Sequence, residues 1–163
     1  MSNVIIYIDR RLILPLLVLF CLLSADAWAQ ASVTEGHALG FGNVVQGTGT
    51  VNVTLTSPNT GWVTLTAPSG RSIGATLTAP ASLTDGGGNT IPYTAGAAYN
   101  IKAFNPGTAS TMPPSGNTCC GVLQANDNGI TAQGYIWVYG SINVGMVSAG
   151  SYSAVYNITL TVY

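Results

Sequence analysis

Hydrophobic and polar residues alternate in short runs along most of this chain, and beyond residue 29 no stretch sustains a helical period. Val51, Val53 and Leu55 alternate with Asn52, Thr54 and Thr56. Val63 and Leu65 alternate with Thr64 and Thr66, and Ile73, Ala75 and Leu77 with Gly74, Thr76 and Thr78. Tyr99, Ile101 and Ala103 continue the pattern, as do Ile136, Val138 and Ile142. The clearest run closes the chain. Tyr152, Ala154, Tyr156, Ile158, Leu160 and Val162 share one face, while the opposite face is dominated by Ser153, Asn157, Thr159 and Thr161. A strand exposes alternate side chains to opposite faces, so the first set is expected to be buried. Threonine suits the outward positions, because its branched Cβ favours a pleated strand while its hydroxyl meets water.

Turn residues fall between these runs. Ser57-Pro58-Asn59-Thr60-Gly61, Ala67-Pro68-Ser69-Gly70 and Asp85-Gly86-Gly87-Gly88-Asn89 read as turns. The strand-plus-turn spacing predicts an all-β, antiparallel sandwich. Residues 105–134 break the pattern with Asn105-Pro106-Gly107, Pro113-Pro114 and Asn126-Asp127-Asn128-Gly129, which predicts a long surface loop with a short strand or a turn of helix near Val122 to Ala125.

The first 29 residues differ. Arg10 and Arg11 precede an apolar run from Leu12 to Leu23, and Ala27-Trp28-Ala29 gives a small-x-small pattern before Gln30. This is the pattern of a secretory signal peptide cleaved after Ala29. The apolar run is short of the ~20 residues that span a bilayer. Residues 30–163 are then expected to form a single secreted domain with no transmembrane span. Secretion places its cysteines in a disulfide-permissive setting.

Composition narrows the functions available. Only 6% of residues are charged, while 47% are hydrophobic. Beyond the signal segment the charged residues are Glu35, Arg71, Asp85, Lys102 and Asp127. Two basic residues cannot neutralise a phosphate backbone, so nucleic-acid binding is excluded. A hydroxyl- and amide-rich surface must supply solubility.

Few side chains could carry chemistry. A serine triad would have to use His37, the one histidine, yet no nucleophile-elbow motif is present. A glycosidase would need two of Glu35, Asp85 and Asp127, but the two aspartates sit among turn residues. One histidine and two adjacent cysteines lack zinc-ligand spacing, and Asn126-Asp127-Asn128-Gly129 lacks the distal Glu of a calcium loop. The chain therefore reads as non-catalytic, with no cofactor and no metal. Cys119 and Cys120 are adjacent, and an oxidised pair locking the loop is favoured over a bridge between subunits. Tyr135, Trp137 and Tyr139 share one strand face. They form either the second face of a sandwich strand, a protein interface, or a platform that stacks on sugars.

Two segments carry a resemblance. Leu39-Gly40-Phe41-Gly42 opens the domain, and Val138-Tyr139-Gly140-Ser141-Ile142, Ala149-Gly150-Ser151-Tyr152-Ser153 and Asn157-Ile158-Thr159-Leu160-Thr161-Val162-Tyr163 close it. With Ala75-Thr76-Leu77 and Leu83-Thr84-Asp85-Gly86-Gly87-Gly88, they resemble the bacterial DUF4402 family and the related spore-coat-U-type pilins of archaic chaperone–usher pili. The resemblance implies an immunoglobulin-like β-sandwich. In pilins of this kind the sandwich lacks one strand and is completed by a donor strand. It implies as partners like subunits or related pilins, a periplasmic chaperone and an outer-membrane usher. The terminal strand, with Tyr152, Tyr156, Ile158, Leu160 and Val162, would flank the acceptor groove. The physical basis is β-augmentation, in which backbone bonds complete a sheet and alternate side chains fill pockets.

The segment Gln30 to Ala38 departs from a donor strand, because Glu35 and Gly36 stand where apolar side chains are needed. The expected function is a structural subunit of a surface fibre. The departure leaves three readings: a terminal or initiating subunit, a self-complete domain, or a different cleavage site. A stand-alone secreted adhesin or carbohydrate-binding module is the alternative function.

Overall fold

A computed structural model describes residues 30–163. The segment expected to be a signal peptide, including Ala27 and Ala29, lies outside the described residues, and Gln30 opens them as exposed, irregular chain.

The strands are β1 (Ser32–His37), β2 (Gly49–Val53), β3 (Gly61–Pro68), β4 (Ser72–Thr78) and β5 (Ser82–Thr84), followed by β6 (Thr90–Asn100), β7 (Ser110–Met112), β8 (Ser115–Val122), β9 (Thr131–Val144) and β10 (Asn157–Val162). All pairings are antiparallel, and they build two sheets. The first runs β1-β3-β9-β6-β5, with β2 beside the C-terminal part of β9 and β7 beside β6. The second is β10-β4-β8. The architecture is an antiparallel β-sandwich, as the alternation predicts.

The sheets differ in length, and that difference sets where the site lies. β9 has 14 residues, roughly 46 Å of strand at ~3.3 Å per residue, whereas β4 has 7. The main core lies between the sheets, where Ile73, Ala75 and Leu77 of β4 meet Leu65, Ala67, Ala97, Ile136 and Val138 of the first sheet. The rest of β9 and β6 extends past the second sheet. There Ile91, Tyr93, Ile142 and Val144 form a second cluster, covered by Leu39, Phe41, Val44, Val147, Tyr152 and Tyr156 from irregular segments rather than by strands.

A third cluster sits on the outer face of the first sheet. Ala125, Tyr135 and Trp137 are buried there against Leu55, Trp62 and Ala109. β9 is therefore buried on both faces between Tyr135 and Val138.

Several boundaries differ from the alternation. The interval 105–134 is not one long loop. It holds a short 3-10 turn (Pro106–Thr108), β7, β8 and the start of β9. β8 pairs with β4 through backbone groups, which need no side-chain alternation, so its sequence SGNTCCGV gives no periodic signal. The run Tyr99-Ile101-Ala103 does not continue as a strand, because β6 ends at Asn100. Its Oδ1 accepts hydrogen bonds from the Lys102 and Ala103 amides, at 2.9 and 3.2 Å, and turns the chain. β2 ends at Val53, with Leu55 in the turn that follows. The terminal strand begins at Asn157, not Tyr152. Residues 145–156 carry the chain from the first sheet to the second and touch a strand through the Thr84–Ser153 bridge.

Candidate functional site

On one side of the sandwich, both sheets end in a strand whose outer edge pairs with no other strand among the described residues. β1 closes the first sheet and β10 the second, and β1 and β10 approach one another along that side. Behind them lies a groove of about 930 Å³. Its floor is Val138, Ile142 and Val144 of β9 with Ile91 and Tyr93 of β6, and its walls include Leu39, Phe41, Val147, Tyr152, Tyr156 and Ile158. The second cluster of the core is thus the inside of this groove. It opens here because no strand of the second sheet reaches this far.

The backbone of β10 is arranged for pairing. The Tyr163 amide donates to the Ser72 carbonyl at 2.9 Å. With the register Asn157↔Thr78 to Val162↔Ile73, bonding alternates in an antiparallel ladder. Thr159 and Thr161 therefore bond to β4. The amides and carbonyls of Ile158, Leu160 and Val162 face the open edge. Among the described residues no strand pairs with that edge.

Two tyrosines fix the wall to the floor. The Tyr93 hydroxyl donates to the Tyr139 carbonyl at 2.7 Å, so the contact between the Tyr93 and Tyr156 hydroxyls takes its proton from Tyr156. Burial pushes the Tyr156 hydroxyl far above the ordinary tyrosine range, reinforced by its bond to Tyr93. Burial likewise raises that of Tyr93. Both stay protonated and act as hydrogen-bonding struts. Phe41 stacks edge-on to Tyr93 at 5.9 Å.

Of the five residues the sequence assigns to an acceptor groove, Tyr152, Tyr156 and Ile158 line it. Leu160 packs into the main core instead, and Val162 is 43% exposed at the strand end. Missed from sequence were Leu39, Phe41, Ile91, Tyr93, Ile142, Val144 and Val147 as parts of one surface. A signal exists in Thr90-Ile91-Pro92-Tyr93, which alternates like the other runs.

The sugar-stacking reading of Tyr135, Trp137 and Tyr139 meets an obstacle. Trp137 is 2% exposed and Tyr135 7%, because Phe104 lies over both at 5.6 and 5.0 Å. Tyr139 lies across Gly96, where a Cβ would overlap its ring. The exposed ring of this face is Phe104, which is 52% accessible. The loop bearing it is held by Asn100, whose amide donates to Thr108 Oγ1 and the Asn105 carbonyl at 3.0 and 3.2 Å.

The remaining candidates are placed as follows. Cys119 and Cys120 form a disulfide with each other, within β8 rather than in a loop, and pack against the main core. His37 Nδ1 lies 3.2 Å from the Thr60 carbonyl, and His37 and Glu35 line the groove from β1. Asp85 and Asp127 cap separate turns. Asp85 Oδ1 accepts from the Gly87 and Asn89 amides at 2.8 and 3.1 Å, and its Oδ2 from Asn89 Nδ2 at 2.6 Å. Asp127 accepts from the Gly129 amide at 2.9 Å and Ser69 Oγ at 3.0 Å. Among the described residues no group of three His, Cys, Asp or Glu is placed to hold a metal, and no helix is long and apolar enough to cross a membrane.

These caps set a pH dependence. The Asn89 side-chain bond, with the Gly87 and Asn89 amides, holds the Asp85 carboxyl below its ordinary 3.8. A lowered folded pKa means that the contribution is present above the unfolded value and is lost as pH falls through the folded one. The Gly87 and Asn89 amide resonances are expected to titrate with a midpoint below 3.8. A midpoint at or above it would mean that the carboxylate does not hold this turn.

No family model, curated protein or solved structure matches this chain.

Proposed function

We propose that this protein is a non-catalytic structural subunit of a bacterial surface fibre, assembled by strand complementation. The groove accepts an extended segment of another chain, which pairs with the free edge of β10 and sets alternate side chains against the half-buried Leu39, Phe41, Tyr156 and Ile158, above the buried floor of Ile91, Tyr93, Ile142 and Val144. The observation that carries this reading is the coincidence of two features: an edge of β10 that no described strand pairs, and an apolar groove that meets β10 at Ile158. β-Augmentation requires both. The lining is almost free of charge, with Glu35 and His37 at the β1 end as its ionisable groups besides tyrosines. The resemblance to spore-coat-U-type pilins points the same way. It supplies a periplasmic chaperone that covers the groove in transit and an outer-membrane usher that exports the subunit. The alternative, a secreted adhesin or sugar-binding module, has less support because Trp137 and Tyr135 are covered.

The test is a ten-residue synthetic peptide with isoleucine at every second position and threonine between, compared with a scrambled peptide. At a hundredfold excess over its Kd, a ligand of the folded state stabilises by ~2.7 kcal/mol. A rise in Tm with the alternating peptide alone is expected. Leu160→Pro removes an edge-facing amide without touching the β4 ladder and should weaken binding at least about tenfold, the ~1.4 kcal/mol of one hydrogen bond. An unchanged Tm at saturating peptide would sink the reading.

A further inference from the structure

We infer that none of the strands of residues 30–163 is donated to another subunit: the groove takes an extended segment of another polypeptide that is not one of these strands. This rests on the strand-acceptor reading above. The argument concerns β1, the one strand whose residues are all exposed and hence the obvious strand to exchange.

β1 is already engaged within its own chain. It pairs with β3 from Ser32↔Thr66 to His37↔Trp62, with a bulge at Gly36. The Trp62 indole lies against Gly36 so closely that a Cβ there would overlap the ring. Trp62 is braced from behind by Phe104, at 4.8 Å, and through it by Tyr135 and Trp137. The chain beyond β1 is tied as well, by the Gly40 amide to the Asn59 carbonyl at 3.0 Å. The outer aromatic cluster thus clamps β1 onto its own sheet. Glycine at the bulge is what allows the indole to lie flat on the backbone.

β1 also has the wrong chemistry for the groove. Its groove-facing side offers Val33, Glu35 and His37, and its other side Ser32, Thr34 and Gly36. Neither face presents a run of apolar side chains to match the half-buried apolar wall of Leu39, Phe41, Tyr156 and Ile158. A carboxylate placed there would lose its hydration with no cationic partner among the lining residues other than His37. The other strands of the described chain are held in the two sheets. The occupant is therefore an uncharged, extended segment of another polypeptide, apolar at every second position and not one of these strands.

The test uses the full chain, purified after secretion. Sedimentation should show a monomer at all accessible concentrations that binds the alternating peptide one to one. Multimers that the peptide disperses would overturn acceptor-only behaviour and leave the strand-acceptor reading standing. A monomer that ignores the peptide would overturn both. Trp62→Ala is expected to speed hydrogen exchange of the β1 amides at least about tenfold, one factor of ten per ~1.4 kcal/mol of lost clamp, while the protein stays monomeric. Multimers of this variant would show that the clamp alone prevents donation and overturn the chemical half of the argument. Adding Glu35→Val and His37→Val to it should produce multimers. A folded, peptide-binding triple variant that stays monomeric would overturn the proposal.

Discussion

Trp137→Ala is expected to destabilise the fold by about 3–5 kcal/mol, the range for truncating a fully buried tryptophan. Total stabilities of domains lie at ~5–15 kcal/mol, so this single change should bring the protein close to unfolding. The size follows from position. Trp137 stands in the central strand β9, paired with Trp62 on one side and Ala98 on the other. Its ring is held at 6.0 Å from Tyr135 and 5.6 Å from Phe104. Removing it empties the middle of the outer cluster, and the surrounding strands are too constrained by their ladders to collapse into the space. Phe104, half exposed on a loop, should cost roughly half as much when truncated, in proportion to the area it buries. Urea unfolding of the two variants tests this. A loss below about 1 kcal/mol for Trp137→Ala would mean that the outer cluster is not a second core. The experiment also separates structure from binding, since a surface platform would lose its ligand and keep its stability.

Gly140→Ala should be as damaging, at least about 3 kcal/mol or outright loss of soluble protein. Gly140 has φ +145°, a conformation that side-chain-bearing residues rarely adopt. A Cβ there would overlap the carbonyl of Thr94 on β6, which is backbone and cannot swing away. β9 is gripped from both sides at this point, by Val53 of β2 and Ala95 of β6. The Tyr93 hydroxyl also reaches the Tyr139 carbonyl one residue before. The strut that ties Tyr156 to the groove floor therefore depends on the same backbone bend. Gly145→Ala serves as the control, because a Cβ there meets nothing within 4 Å. It should shift stability by no more than ~0.5 kcal/mol. Equal stability of the two variants would show that the Gly140 conformation is not required.

These residues show how much of the protein is legible in its sequence. The alternation of Ile73, Ala75 and Leu77, and of Leu65 with Ile136 and Val138, identifies the inner faces correctly, because a strand's side chains alternate whatever the strand pairs with. The turn roles of Asp85 and Asp127 follow from local chemistry and are likewise present in the sequence. β8 is illegible for a definite reason: its partner is β4, and backbone pairing leaves no mark on an edge strand without alternating side chains. Tyr135 and Trp137 could not be assigned to a buried or an open face from spacing, because what covers them is Phe104, more than 30 residues away.

Sequence alone determined that this is an all-β chain with almost no charge on its strands, because periodicity and composition are local properties. It also placed Ile158 and Leu160 on the inward side of the terminal strand, where both are half-buried, whereas Ala154 and Val162, expected on the same face, are exposed. Only the tertiary structure decided that the second sheet is shorter than the first, and that mismatch opens the groove over Ile91, Tyr93, Ile142 and Val144. It also decided that β1 is fastened to β3 beneath Trp62. Both depend on which strands lie side by side, and that is settled by contacts between residues far apart in the chain.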